Sequence, residues 1–139
     1  MTTNPEPAQR IIFPAPGQVV LENQALPQPT PGQVLVRTLY SLMSIGTETT
    51  ILHGRYAPDS HFANMFSFPQ LQTGVQSVGV VEAAGAGVME FKRGDLVYMR
   101  MGHGSHQVIK AADCSPVPNG VDLKQACWAG LAKTAFRAA

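Results

Sequence analysis

Apolar residues along this chain fall in short runs, which are separated by turns that contain glycine or proline. Runs of this length, rich in valine and bounded by turn residues, are typical of β-strands. They predict six strands, at 11–13, 18–22, 33–42, 77–82, 96–99 and 107–110. Thirteen glycines and eleven prolines in 139 residues interrupt helices more readily than they extend them. The sequence therefore predicts a mainly β fold with a few short helices.

Helical patterning is confined to two places. A helical turn is predicted at 47–52. A longer helix is predicted to begin after Asp122, the expected N-cap residue, with Gln125 three residues later as in a capping box and Gly130 as a candidate break. Its pattern runs to Ala139 without a C-cap glycine or a proline, which predicts a chain that is truncated inside a helix.

The segment 53–69 has neither a helical nor a strand period and contains three phenylalanines and one tyrosine. It is interpreted as a long loop with one short helix. Loops of about this length are usually functional or disordered, and the aromatic content argues against disorder. The loop is therefore expected to form one wall of a substrate pocket, although packing into a core explains the same residues.

Composition excludes several classes of protein. Ten basic residues are spread along the chain and the formal net charge is +1, so the charge cluster expected of nucleic-acid binding is missing. No apolar stretch approaches the roughly 20 residues of a membrane helix, and residues 1–10 contain no apolar leader segment. Two cysteines are too few for a secreted disulfide framework. We expect a cytoplasmic protein with one modest core and with neither nucleic acid nor membrane as a partner.

Three motifs suggest chemistry but have a simpler interpretation. Gly-Ala-Gly at 85–87 lacks the third glycine of a dinucleotide fingerprint, because position 90 is Glu90, and it is interpreted as a hairpin turn. His103 and His106 lack the further ligands that zinc needs, so polar residues of a surface turn are favoured. Cys127 has no base beside it and is interpreted as a small buried thiol.

Gly46-Thr47-Glu48 is a stronger candidate for a functional site. A hydroxyl one residue after a glycine, at the end of a buried strand, is presented at the edge of a cleft. In that position it can relay a proton or bind a substrate oxygen. The alternative is that Thr47 or Glu48 caps the helical turn that follows.

Several segments, in a fixed order, carry a resemblance to a known family. They are PGQVLVR at 31–37, SIGTE at 44–48, GVQSVGVVE at 74–82, FKRGDLV at 91–97, GSHQV at 104–108, PVPNGV at 116–121 and LAKTAF at 131–136. Together they resemble the N-terminal, chaperonin-10-like (GroES-like) catalytic domain of the medium-chain dehydrogenase/reductase family. The resemblance extends from about residue 17 to the end of the chain. It implies a partly open β-barrel.

The same resemblance implies how the chain is organised. Residues 1–121 would be the GroES-like substrate or catalytic domain, and residues 122–139 would begin the helix that leads to a nucleotide-binding domain. That domain, which binds NAD(P) in the family, is absent from these 139 residues. Thr134 is the one residue expected to touch the cofactor. The isolated chain is therefore expected to be inactive and to bind NAD(P)H weakly or not at all.

Departures from the family pattern concern zinc. Zinc-dependent members of the family carry cysteine where this chain has Ile45, histidine where it has Val75, and often a third ligand near 129–130. Isoleucine and valine have no electron pair to donate, so two of the three expected ligands are missing. The four-cysteine lobe that holds a structural zinc is missing too. The resemblance therefore implies a member without zinc.

Without zinc, a developing oxyanion must be held by hydrogen-bond donors. Thr47 occupies the position that carries a proton-relay hydroxyl in relatives and is the first choice as a catalytic residue. Tyr40 and Tyr56 are further candidates as phenolic donors. Three residues are expected to bind the substrate, and these are Gly46, Glu48 and Gln76.

Two classes of function remain open from the sequence. The favoured one is the substrate-side domain of a zinc-independent NAD(P)-dependent oxidoreductase, which transfers hydride to or from an alcohol, a carbonyl or an activated double bond of a small molecule. The alternative is a non-catalytic β-barrel for binding or oligomerisation. A barrel cut short would leave strand edges and apolar surface uncovered, so a homo-oligomer or contact with another chain is also expected.

Overall fold

The computed structural model describes residues 7–69 and 71–138. Its strands are β1 (Ala8–Ile12), β2 (Val20–Gln24), β3 (Gln33–Ser41), β4 (Ser77–Ala84), β5 (Leu96–Met99), β6 (His106–Lys110) and β7 (Cys114–Pro116). Its α-helices are α1 (Ile45–Leu52), α2 (His61–Met65), α3 (Leu123–Ala126) and α4 (Ala129–Ala138), and a 3-10 turn covers Ala111–Asp113. Among these helices, none is long and apolar enough to cross a membrane.

Five strands form one antiparallel sheet in the order β6-β3-β4-β5-β7, and β1 pairs with β2 in a separate hairpin. In the central pairing of β3 with β4, Val36 lies opposite Val81. Two register shifts interrupt this pairing, and such irregularities increase the local twist. The sheet curls into a half-barrel, and an isolated bridge between Arg10 and Gly104 joins the hairpin to it. The predicted mainly β fold with a partly open barrel is confirmed.

Two apolar clusters support this fold. The larger lies within the curled sheet and consists of Val34, Val36, Val81, Val97, Met99, Ile109 and Ala111. The smaller one is formed by Phe13, Ile51 and Leu71. Phe62, Phe66 and Phe68 pack against it, with the first two on or beside α2. Core packing therefore accounts for the three phenylalanines of the 53–69 segment, which does contain the one short helix that was predicted.

Several element boundaries differ from the sequence predictions. β1 and β2 lie at Ala8–Ile12 and Val20–Gln24, where 11–13 and 18–22 were predicted, and two further differences concern β7 and the C-terminal helix. β7 was not predicted, because its three residues include Pro116 and resemble a connector; its pairing with β5 supplies the strand geometry. The C-terminal helix divides at 127–128, between α3 and α4, and not at Gly130, which lies inside α4. The predicted N-cap is confirmed, because the Asp122 carboxylate accepts hydrogen bonds from the two backbone amides at Lys124 and Gln125. The turn at 85–87 joins antiparallel strands, as predicted.

Candidate functional site

The threonines of α1 differ in what their hydroxyls contact. Thr49 donates to the Ile45 carbonyl, and Thr50 donates to the Gly46 carbonyl at 2.8 Å. Thr47 is exposed, and within the described part of the chain its hydroxyl has no hydrogen-bond partner. Thr47 is therefore the threonine of this helix whose donor is available to a ligand.

Glu48 lies one residue further along α1 but points into the protein, where it is 4% exposed. Its carboxylate accepts the Ser44 backbone N–H at 2.7 Å, the Thr73 hydroxyl at 2.9 Å and a contact from His103 Nε2 at 2.8 Å. Burial alone would raise the pKa of this carboxyl, but the hydrogen bonds from His103, Ser44 and Thr73 outweigh it and lower the pKa below its ordinary value. Glu48 thus holds a buried negative charge and closes the first turn of α1.

His103 corrects a prediction from the sequence. It was interpreted as a polar residue of a surface turn, yet it is 6% exposed and its two ring nitrogens contact Glu48 and Ser41. Gly74, with a φ of +103°, makes this burial possible, because a Cβ there would lie 2.7 Å from the His103 backbone nitrogen. His106 is only half-buried, with Nε2 3.4 Å from Glu82. The two histidines therefore belong to different hydrogen-bond networks.

The two tyrosines that were candidates occupy different surroundings. Tyr40 is 42% exposed near the end of β3, with the Lys124 ammonium 5.6 Å from its ring centroid. It lines a groove that neither Thr47 nor Tyr56 lines. Tyr56 is half-buried and donates its hydroxyl to the Phe66 carbonyl at 2.7 Å, so this phenol is committed to holding the 53–69 segment.

Gln76 and Thr134 lie at one cavity, of about 720 Å³, between the sheet and α4. Gln76 is 2% exposed and accepts the Leu131 backbone N–H at 3.1 Å, which ties α4 to the start of β4. Thr134 is exposed and donates to the Gly130 carbonyl at 3.0 Å. The cavity also carries two exposed basic side chains of α4 and one that follows β5, which are Lys133, Arg137 and Arg100.

The residues at the positions that the resemblance assigns to zinc do not fit a zinc ion. Ile45 is 71% exposed and Val75 is 42% exposed, but neither offers a donor atom. Gly130 has no side chain, and a Cβ there would lie 2.5 Å from the Tyr98 hydroxyl and 2.7 Å from Gln76 Oε1. Across residues 7–69 and 71–138, no group of three or more histidines, cysteines or acids is placed to hold a metal.

Cys127 is a buried thiol, as the sequence indicated. It is 3% exposed and its sulfur contacts the Tyr40 carbonyl oxygen at 3.5 Å. Burial raises the pKa of this thiol, which opposes formation of the reactive thiolate.

The sequence did not predict that Ser41 and Thr73 join the buried network, nor that His103 is buried within it. The contacts of this network join residues that are far apart in the sequence. Ser41 and His103 are 62 residues apart, Thr73 and Glu48 are 25 apart, and His103 and Glu48 are 55 apart. No local motif marks contacts of that range. Glu48 itself was singled out from the sequence, and an acid that becomes buried requires partners.

Comparison with known proteins gives a family match and several similar solved structures. Residues 30–135 match the family model described as the alcohol dehydrogenase GroES-like domain. The chain is similar to a quinone oxidoreductase of Pseudomonas syringae pv. tomato DC3000, at 27% identity and a TM-score of 0.65 over 86% of this chain and 36% of that one. No curated protein matches the sequence.

Two further solved structures share the fold. The Escherichia coli quinone oxidoreductase complexed with NADPH is 23% identical, with a TM-score of 0.63 over 86% of this chain and 36% of that one. A thermostable alcohol dehydrogenase from Pyrobaculum aerophilum is 23% identical, with a TM-score of 0.65 over 86% of this chain and 43% of that one. The chain thus spans less than half the length of these structures.

Proposed function

Because this chain belongs to the alcohol dehydrogenase GroES-like domain family, we propose that it forms the substrate side of an NAD(P)-dependent oxidoreductase. The observation that carries this proposal is the family match over residues 30–135, which includes the exposed hydroxyl of Thr47. The reaction is hydride transfer to or from an alcohol, a carbonyl or an activated double bond of a small molecule. The chemistry of the substrate oxygen then falls to residues of this chain.

The proposed reaction proceeds without zinc. Ile45, Val75 and Gly130 offer no ligand, so a developing oxyanion must be stabilised by hydrogen bonds. Thr47 is the proposed donor, because its hydroxyl is exposed and bonds to no other group of the described chain. Zinc measured at one ion per purified chain would contradict this part of the proposal.

The proposed cofactor is NAD(P), which supplies or accepts the hydride when bound. Thr134 lines the same cavity as Lys133 and Arg100, and these two side chains offer positive charge to a nucleotide. The remaining contacts would come from outside this chain, because its two Gly-x-Gly sequences, at 85–87 and 102–104, are followed by the strands β5 and β6 and do not open a helix.

A second candidate is a binding or oligomerisation module. It is favoured by large apolar side chains on the surface, namely those of Ile45, Trp128 and Phe136, which are 71%, 55% and 84% exposed. Exposed apolar groups of this size are typical of interfaces. In the oxidoreductase proposal the same groups are covered by another domain or by another chain, including a second copy.

The chain alone is expected to bind NADPH no more tightly than about 1 mM, since it offers only the few groups at Thr134 and its neighbours. Titration of NADPH fluorescence measures this affinity, with bovine serum albumin as a control for nonspecific quenching. A dissociation constant in the micromolar range would contradict the proposed division of labour.

Replacing Thr47 with alanine is expected to lower kcat by about tenfold to a hundredfold. The variant is assayed in the full-length protein, in which the proposed cofactor contacts from outside this chain are present. Loss of one hydrogen bond to a charged oxygen corresponds to about 1.5–3 kcal/mol. The measurement is NADPH oxidation at 340 nm with a quinone or an aldehyde as acceptor. Thr50→Ala on the same helix is the matched control, because its hydroxyl already bonds to the Gly46 carbonyl. Equal turnover in the wild type and the Thr47 variant would remove Thr47 from the mechanism.

A further inference from the structure

Ser41, His103 and Glu48 form a continuous chain of hydrogen bonds. The Ser41 hydroxyl lies 2.9 Å from His103 Nδ1, and His103 Nε2 lies 2.8 Å from Glu48 Oε2. The imidazole and the carboxylate are both buried, with side chains 8% and 5% exposed. A hydroxyl, an imidazole and a carboxylate in this order are the three groups of a serine-nucleophile triad, although here Nδ1 faces the hydroxyl and Nε2 the carboxylate, the reverse of the usual assignment.

The proton positions in this network follow from the chemistry of its members. A carboxylate only accepts hydrogen bonds, so the proton between Glu48 and His103 lies on Nε2. In the neutral imidazole Nδ1 is then an acceptor, and the Ser41 hydroxyl must donate to it. Thr73 and the Ser44 backbone N–H also donate to the carboxylate, which fixes its orientation. His103 Nδ1 is thus directed at the Ser41 proton as a general base would be.

Ser41 is also accessible. It is an exposed residue at the end of β3, in contrast to its two partners. Ser41 and His103 both line a surface groove of about 240 Å³, together with Tyr40, Leu21 and Thr38. This volume suits a short acyl chain better than a drug-sized ligand.

We propose that Ser41 is a nucleophile toward activated esters of short carboxylic acids, with His103 as its general base and Glu48 as a residue that positions the imidazole. The Ser41 oxygen bonds to the ester carbonyl carbon, and its proton passes to His103 Nδ1. The carbon–oxygen bond to the leaving alcohol breaks, and the alcohol departs with that proton. Water then adds to the acyl-serine with the same nitrogen as base, which releases the carboxylic acid and restores the Ser41 hydroxyl. This activity needs no nucleotide and is independent of the proposed oxidoreductase role.

The chain contains an internal comparison for this proposal. Ser105 lies 3.1 Å from His106 Nδ1, and His106 Nε2 lies 3.4 Å from Glu82 Oε2. The residue types are the same, but the Glu82 side chain is 29% exposed and is shared with Arg37 at 2.8 Å. Its contact with the imidazole is longer and only partly buried, so it orients the ring less. Ser105 should therefore react more slowly than Ser41.

The first experiment treats the wild-type chain with a fluorophosphonate, which forms a serine O–P bond and releases fluoride. Peptide mass spectrometry locates the adduct and follows its rate at each serine. The expected result is a stoichiometric adduct on Ser41 that forms at least tenfold faster than any adduct on Ser105. No adduct on Ser41, or equal rates at the two serines, would overturn the proposal. Because the wild type is used, the outcome does not depend on how a variant folds.

The second experiment measures hydrolysis of p-nitrophenyl acetate. Ser41→Ala should lower the rate at least tenfold, whereas Ser115→Ala, an exposed serine of β7, should leave it unchanged. Glu48→Gln, with kcat corrected for the folded fraction, should lower kcat and leave KM within twofold, because Glu48 does not reach the ester. An unchanged rate in Ser41→Ala, or a Glu48→Gln variant with the wild-type kcat per folded chain, would show that the network is structural only.

Discussion

Replacing Glu48 with alanine is expected to lower the free energy of unfolding by about 3 kcal/mol, since a buried donor that loses its acceptor typically costs about 1–3 kcal/mol. Three donors lose their acceptor at once, and these are His103, Thr73 and the Ser44 backbone N–H. Each belongs to a different segment, so the loss loosens the attachment of α1 to the rest of the molecule. Urea unfolding followed by circular dichroism measures the change.

Glu82→Ala is the matched control for that variant. Glu82 also contacts an arginine and a histidine, Arg37 and His106, but its side chain is 29% exposed. Solvent-exposed ion pairs contribute about 0–1 kcal/mol, so this variant should lose no more than that. Equal losses of unfolding free energy in the two variants would mean that the buried network around Glu48 stabilises the fold no more than the ion pairs of Glu82 do.

The same network gives stability a dependence on pH. The pKa of Glu48 is lower in the folded protein than its ordinary value of 4.5, so the unfolded chain binds the proton more tightly. The stabilisation is fully present above that ordinary value and is lost as the pH falls through the lower, folded value. Between pH 7 and pH 3 the urea midpoint of the wild type should therefore fall more steeply than that of Glu48→Gln. Parallel curves would contradict an ionised Glu48 in the fold.

The second large effect is expected for Gly79→Ala, which should lower the free energy of unfolding by about 3 kcal/mol through overpacking. Gly79 lies in the middle of β4, between β3 and β5. A Cβ there would overlap the Arg37 carbonyl oxygen and lie 2.6 Å from Val36 Cγ1. Strands on both sides prevent the backbone from moving away. A fall of about 10 °C in Tm by differential scanning calorimetry corresponds to that energy for a chain of this size.

Gly46→Ala, which also replaces a glycine with alanine, is expected to have the opposite effect on stability. Gly46 lies in α1, and no heavy atom would lie within 4 Å of a Cβ at that position. Alanine is preferred to glycine in a helix by about 0.8–1 kcal/mol, so this variant should be slightly more stable than the wild type. Destabilisation of both variants to a similar degree would show that local packing at Gly79 is not the cause.

The sequence predicted those strands that are marked by their own run of apolar residues between turns. β5 was predicted at its observed bounds, and β3 within one residue, because valines and turn residues mark both. β7 escaped prediction because only its pairing with β5 makes it a strand. The break at 127–128 likewise lies at a residue whose burial is not marked by a local pattern, because the Cys127 sulfur contacts the Tyr40 carbonyl oxygen.

The candidate site was predictable only where a position in a family pattern marks it. Thr47 and Gln76 were predicted in this way, and the structure adds that the first is exposed while the second is buried against α4. The partners of Glu48 could not be found, because a hydrogen bond across 55 residues leaves no periodic trace. His103 in particular sits among glycines, which in a sequence indicate a turn and conceal a buried ring.

The packing around Gly130 limits what a side chain at that position could do. Cysteine at position 130 would bring its Cβ against both the Tyr98 hydroxyl and Gln76 Oε1, and Gln76 also accepts the Leu131 backbone N–H. Substitutions among residues in contact are not additive. Introducing ligands at Ile45, Val75 and Gly130 would therefore require the side chains of Tyr98 and Gln76 to shift. A metal ligand at position 130 would thus compete with the hydrogen bond by which Gln76 holds α4.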